Sequence, residues 1–285
     1  MIWHTTRFPI DLVQPQVMGI VNITPDSFSD GGQYAGTSAA LAHCEQLLRE
    51  GAHILDIGAE STRPGAQPVP VEEELARLLP VLRAAVTLGV PVSVDTYKPR
   101  VMQAALDAGI DIINDIWALR WTDPAHPLTA TDVVAQHPSC GVCLMHMHRE
   151  PQTMQAEPMQ GDVVVQVLLF LERYAQALTA LGIEKARIVL DPGIGFGKTT
   201  AQNFTLLARQ QALLALGYPL LVGWSRKSSL AGMADAALGP GERLVPSVAA
   251  ALLAVERGAR VVRVHDVAAT AQALKVWVAA GRISP

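Results

Sequence analysis

The sequence predicts an α/β chain closed into a (β/α)8, or TIM-type, barrel, with its site at the C-terminal rim of the strands. Three observations predict it. Eight short apolar runs recur along 285 residues. Most are followed by a longer segment with helical spacing, which indicates a parallel sheet covered on both faces. Each run stays apolar until its end, where a polar or charged residue stands, as happens where barrel strands deliver chemistry to one mouth. The length suits one barrel domain over residues 1–285.

The predicted strands are 17–22, 53–58, 91–95, 110–115, 141–146, 187–191, 219–223 and 260–265. The intervening helices follow from composition. Residues 38–50 place apolar side chains at helical spacing and stop at Gly51. Residues 71–88 open with Glu72, Glu73 and Glu74, which suit the positive end of a helix. Residues 161–181 and 202–216 are long and amphipathic, and each is followed by glycine. Residues 267–280 close the chain before Gly281. Residues 120–138, with Pro124, Pro127 and Pro138, read as a long loop or a short helix. No linker, low-complexity stretch or internal repeat stands out.

Half of the chain is apolar and the formal net charge is −4. A nucleic-acid partner is not expected, because a phosphate backbone calls for a basic surface. Cys44, Cys140 and Cys143 are too few for a disulfide framework. The spacing of Cys140 and Cys143 permits redox or zinc chemistry, but they border an apolar run and read as buried thiols. Residues 1–10 do not resemble a signal peptide, and no apolar run approaches the length of a membrane span. No membrane partner and a cytoplasmic location are therefore expected.

The strand ends carry Asn22, Asp56, Asp95, Asn114 with Asp115, His146, Asp191, Lys227 just past the seventh strand, and Arg263 with His265. Any one of them could be a cap or loop residue. Eight strands in succession point to a site. Arg263 and His265 are two apart and so share a strand face, which makes an anion site; a surface arginine with a structural histidine is the plainer alternative. Two rim loops mix glycine or proline with charge, hydroxyls or an aromatic. One runs from Asn22 through Thr24, Asp26 and Phe28 to Asp30, the other from Glu60 through Thr62, Arg63 and Pro64 to Gly65. Such loops are either mobile active-site segments or ordinary capped turns. The run from Asp191 to Thr199 is not a nucleotide loop, since Pro192 and Lys198 break the required patterns. It reads instead as bare backbone approached by a flat ligand, with Asp191 aimed at it and Phe196 beside it. His146 and His148 have metal-pair spacing but no evident third ligand.

Eight segments in order resemble dihydropteroate synthase over nearly the whole chain: 18–30, 56–65, 93–96, 113–115, 145–147, 191–198, 225–228 and 263–266. The resemblance implies that p-aminobenzoate displaces pyrophosphate from 6-hydroxymethyl-7,8-dihydropterin diphosphate. It places the pterin against Asp95, Asn114, Ile116, Met145, Asp191, Phe196, Gly223 and Lys227, with Arg263 stacked on the ring. It assigns the p-aminobenzoate pocket to Phe28, Thr62, Arg63, Pro64, Phe196, Lys227 and Ser228. The diphosphate falls to Asn22, Thr62, Arg63, Arg263 and His265, with a magnesium ion bridging it to Asn22. Catalysis would rest on Asn22, Asp95, Asp191, Lys227, Arg263 and His265. A homodimer is expected, as is competition by sulfonamides, which mimic p-aminobenzoate. The pterin assignment agrees with elementary chemistry: a row of N–H donors beside a carbonyl wants carboxylate and amide acceptors plus one cation.

The chain departs from the family pattern at Trp224, at His148 with Arg149, at Gln202 and in the long segment 120–138. Three other readings are weighed. A pterin-binding methyltransferase would have no use for the loop at Thr62 or for the Arg263 and His265 pair. A silent pterin-binding paralogue should show damage in the first two rim loops. A Schiff-base aldolase using Lys227 does not explain the carboxylates around it.

Overall fold

A computed structural model describes residues 1–23, 32–62 and 65–281. Phe28, Arg63 and Pro64, together with Thr24, Asp26 and Asp30, lie outside the described residues. The chain opens with a two-stranded antiparallel hairpin, β1 (Ile2–His4) and β2 (Pro9–Asp11). Eight parallel strands follow: β3 (Gln16–Asn22), β4 (Ile54–Gly58), β5 (Val92–Asp95), β6 (Ile112–Asp115), β7 (Gly141–Met145), β8 (Ile188–Asp191), β9 (Leu220–Val222) and β10 (Ala259–Val264). They pair in chain order, and β10 closes on β3 through the register Arg263 to Met18. The eight predicted strands are these eight, with ends shifted by one or two residues.

Helices cover the outside. The predicted ones appear as Gly32–Glu50, Val71–Ala85, Val163–Ala180, Thr200–Ala208 and Val267–Gly281. Two more, Pro99–Asp107 and Leu244–Glu256, complete the layer. Segment 120–138 is both things its prolines suggested: a loop, then the short helix Ala130–Gln136 capped by the Thr129 hydroxyl on the Asp132 N–H. Strand and helix side chains form one large apolar layer, which absorbs Trp224 against Phe204 at 5.4 Å between ring centres.

Helix Val163–Ala180 corrects one expectation. It has 18 residues and a mean hydropathy of 1.3, enough by length and composition to cross a membrane. In the fold it is a barrel helix that buries Val163, Val164, Val167, Leu171, Ala175 and Leu178.

The N-terminal hairpin, unforeseen in the sequence, plugs the bottom of the barrel. Trp3, Ile10 and Leu12 pack with Met18, Ile54, Ile112, Cys143, Val189, Leu221 and Val261 from the strands. The Trp3 indole N–H donates to the Arg187 carbonyl at 2.9 Å. The fit requires glycine at the start of β7, since a Cβ on Gly141 would lie 2.9 Å from Thr5 and 3.0 Å from Trp3. Cys44, Cys140 and Cys143 are free and buried, and burial pushes their thiols up.

Candidate active site

The inward positions at the strand ends are polar, and closure sets β10 between β9 and β3, one strand away from β4. Asp56 on β4 is fully buried. Its Oδ2 accepts from Arg263 Nε at 2.5 Å and from Asn114 Nδ2 at 3.2 Å. A carboxylate only accepts, so the Asn114 amide turns its NH2 toward Asp56 and leaves its carbonyl for another donor. Arg263 Nη2 donates to Asp95 Oδ2 at 2.6 Å. Two carboxylates therefore fix the plane of the guanidinium, and they raise the arginine's pKa against the opposing effect of burial.

The carboxylates are held at a cost. Burial is the largest cause of the Asp95 shift, up to about 7; Arg263 opposes it, while Asp56 and Asp115 add to it. Asp191 is pushed up to about 6 by burial, against the Gly193 N–H, Lys227, Lys198 and Arg263. Two buried polar atoms in this region, Asp56 Oδ1 and Ser93 Oγ, have no hydrogen-bond partner. A native interior seldom leaves such atoms unsatisfied.

An apolar wall stands beside these groups. Ile116, Met145 and Phe196 pack with Tyr97, Met147 and Met154, and Trp117 and Trp121 lean on them. Lys227 Nζ lies 4.4 Å from the centre of the Phe196 ring. Gly223, just past β9, faces open space, with nothing within 4 Å of a Cβ built there. Around the rim, Asn22 is exposed at the end of β3, Thr62 is half-buried and Ser228 is exposed at the start of the turn Ser228–Leu230.

Several sequence expectations need correction. His265 lies one residue beyond the end of β10, with its Nδ1 3.0 Å from Ser225 Oγ, so Ser225 sets its ring rather than the strand alone. Gly193 and Gly197, after Asp191, make room for the protein's own backbone. A Cβ on Gly193 would sit 1.9 Å from the His146 carbonyl, and one on Gly197 would sit 2.6 Å from the His148 carbonyl. Lys198 folds under this loop and donates to the carbonyls of Gly193 at 2.8 Å and Phe196 at 3.1 Å. Asp115 caps its own loop, accepting from the N–H groups of Trp117 at 2.8 Å and Leu119 at 2.6 Å. His146 is buried edge-on against Phe170, and burial with the charge of Lys198 pushes its pKa down to about 2. Asp56 stood among the strand-end residues, but its role as anchor of both Arg263 and Asn114 was missed. The only signal for it was a carboxylate inside the apolar run 53–58.

A closed barrel whose rim gathers the carboxylates of Asp56, Asp95 and Asp191, an amide carbonyl, an arginine plane and a lysine beside an apolar wall can accept a flat, N–H-rich heterocycle. A family model described as "Pterin binding enzyme" matches residues 18–265. The dihydropteroate synthase of Neisseria meningitidis serogroup C is 52% identical over 286 residues, covering 98% of both chains. The Xanthomonas albilineans dihydropteroate synthase with 4-aminobenzoic acid is similar with a TM-score of 0.87 and 50% identity, covering 97% of this chain and 96% of that one. The Burkholderia cenocepacia dihydropteroate synthase complexed with 7,8-dihydropteroate gives 0.86 and 49%, covering 99% and 96%. The chain belongs to the dihydropteroate synthase family.

Proposed function

We infer that this barrel condenses 6-hydroxymethyl-7,8-dihydropterin diphosphate with p-aminobenzoate, giving 7,8-dihydropteroate and pyrophosphate. The observation that carries the reading is the Asp56–Arg263–Asp95 cluster beside Asn114 and Asp191. The pterin N–H edge meets Asp95, Asp191 and the Asn114 carbonyl; Arg263 stacks on the ring, Lys227 supplies a cation, and Ile116, Met145 and Phe196 line the apolar side. Carboxylates whose charged forms are disfavoured when empty become charged when a donor-rich ligand arrives.

The bond from the methylene carbon to the diphosphate oxygen breaks first, and the arylamine lone pair then attacks that carbon. The amine then loses its proton, and no strong base is needed. Breaking the bond leaves positive charge on the pterin, which the buried carboxylates stabilise. Negative charge leaves with the diphosphate, toward Arg63, Arg263 and His265. p-Aminobenzoate lies against Phe28, Thr62, Pro64, Phe196 and Ser228, and sulfonamides compete for that place.

Magnesium accompanies the diphosphate. Among the described residues there is no group of three or more His, Cys, Asp or Glu that could hold a metal. A lone exposed amide at Asn22 suits an ion that keeps its waters and is held chiefly by substrate phosphates. Its chemistry is to neutralise charge on the leaving group. The assembly proposed is a homodimer, supported by the apolar side chains Val245, Leu253 and Val276 exposed on the last two helices. The place of work proposed is the cytoplasm, in keeping with three free thiols. The test is pyrophosphate release that requires both pterin diphosphate and p-aminobenzoate; release without p-aminobenzoate, or none with both, contradicts the reading.

A further inference from the structure

A buried ionic cluster lies outside the pterin pocket, under the loop between β4 and helix Val71–Ala85. Lys98 is 3% exposed. Its Nζ donates to Glu60 Oε2 at 2.5 Å, to the Val69 carbonyl at 2.6 Å and to Glu74. Glu60 Oε2 also accepts from the Val69 N–H at 2.8 Å, and Glu74 accepts from Thr96 Oγ at 2.7 Å. Lys98 Nζ also lies 5.0 Å from the centre of the Tyr97 ring.

Burying one ammonium with two carboxylates is expensive, and such clusters are often no more stabilising than apolar packing. The barrel does not need this one to close, because β4 and β5 are already laddered from Leu55 to Gly58. What the cluster adds is specific to the loop. Residues 60 and 69 are bonded to each other in one direction and to Lys98 in the other, so both ends of the intervening segment are tied at one point. That segment carries Thr62, Arg63 and Pro64. Lys98 itself stands three residues after Asp95 in the pterin pocket.

We propose that Lys98, acting through Glu60 and Val69, is a positioning residue that sets the p-aminobenzoate and diphosphate loop against the pterin pocket. This rests on the assignment of Thr62, Arg63 and Pro64 to those ligands. Removing Lys98 alone leaves two carboxylates facing each other, so the decisive variant is Lys98→Met combined with Glu74→Gln, which keeps the net charge of the cluster at its wild-type value. Steady-state pyrophosphate release gives KM for p-aminobenzoate and kcat. Calorimetry with 6-hydroxymethyl-7,8-dihydropterin, which lacks the diphosphate, reports the pterin pocket alone. The double variant should raise KM for p-aminobenzoate about tenfold or more, in line with the cost of a small misplacement, while affinity for the bare pterin stays put. Glu74→Gln alone leaves Lys98 bonded to Glu60 and Val69 and should keep the wild-type KM.

An unchanged KM in the double variant overturns the proposal, because the cluster would then be merely structural. So does a matching fall in bare-pterin affinity, which would mean general loosening of the rim. Failure of the functional reading looks different: the unaltered enzyme would show no p-aminobenzoate-dependent release.

Discussion

The two ends of the same barrel treat buried charge in opposite ways. At the bottom, Asp111 is fully buried and saturated. It accepts from the Arg7 N–H and Nε at 3.0 Å each, from Arg7 Nη2 at 2.5 Å and from the Val92 N–H at 2.8 Å. Arg187 there donates to the Cys140 carbonyl at 2.8 Å and the Val134 carbonyl at 3.1 Å. At the top, Asp56 and Asp95 share Arg263, two buried oxygens go unpaired, and Asp95 and Asp191 are held well above their ordinary range. A saturated carboxylate contributes to the fold. An unsaturated one withholds part of its bonding for a ligand, at some cost in stability. Substitutions at the two ends should therefore fail in different assays.

The largest effect is expected at the bottom. Asp111→Ala strands the buried Val92 N–H and removes the charge-assisted bonds from the exposed Arg7, and should cost about 3–5 kcal/mol of folding stability. Turnover per folded molecule should not change. Chemical denaturation alongside active-site titration separates the two quantities. Loss of turnover in the folded fraction would break the division of labour between the ends.

Asp191→Asn is the counterpart at the top. An asparagine keeps an oxygen for the Gly193 N–H, now received at 2.7 Å. The fold should tolerate it, while affinity for a bare pterin should fall by about 2–4 kcal/mol through loss of a charge-assisted bond. Unchanged affinity in a calorimeter would remove Asp191 from the pocket.

pH sharpens the contrast. An aspartate raised from 3.8 to about 7 keeps a proton in the folded protein that the unfolded chain has already released. Between those values the folded state binds more protons, so stability through Asp95 declines as pH rises, by at most about 1.4 kcal/mol per pH unit. Pterin affinity should climb over the same window, because the acceptor is the charged form. Asp95→Asn should flatten both slopes. A stability difference between wild type and this variant that grows with pH would reverse the sign and refute the assignment.

These contrasts explain which parts of the molecule were legible in the sequence. A strand that stays apolar and then stops at Asp95 or Asp191 announces its own boundary and its own polar end, because both are local. Pairing is not local. Asp56 and Arg263 are 207 residues apart and meet only when the first and last barrel strands close. The plug is silent for the same reason: Trp3 in a three-residue strand has no pattern until it finds the floor of the barrel. The glycine-rich loop misled because glycine permits close approach without saying to what. Its partners prove to be the backbone at His146 and His148. Helix Pro99–Asp107 was passed over although Pro99 at its first turn suits a helix start, since nine residues carry little periodicity.

The smallest expected effect lies where the pterin and diphosphate ends of the rim divide. Ser225 Oγ accepts from the His265 backbone N–H at 3.1 Å and lies 3.0 Å from Nδ1, so it orients the ring. His265→Ala should weaken pyrophosphate and the activated pterin, yet leave affinity for the pterin without diphosphate nearly unchanged. Ser225→Ala should do the same more weakly, by about 1 kcal/mol, the usual worth of one neutral hydrogen bond. Arg263→Ala differs from both, because the guanidinium is bonded to Asp56 and Asp95 inside the pterin pocket; it should depress turnover and bare-pterin affinity together. Calorimetric titration of the three variants with pyrophosphate and with bare pterin distinguishes the roles. If His265→Ala abolishes bare-pterin binding, or Ser225→Ala exceeds it in effect on pyrophosphate, then His265 is a pterin contact and the leaving group is held elsewhere on the rim.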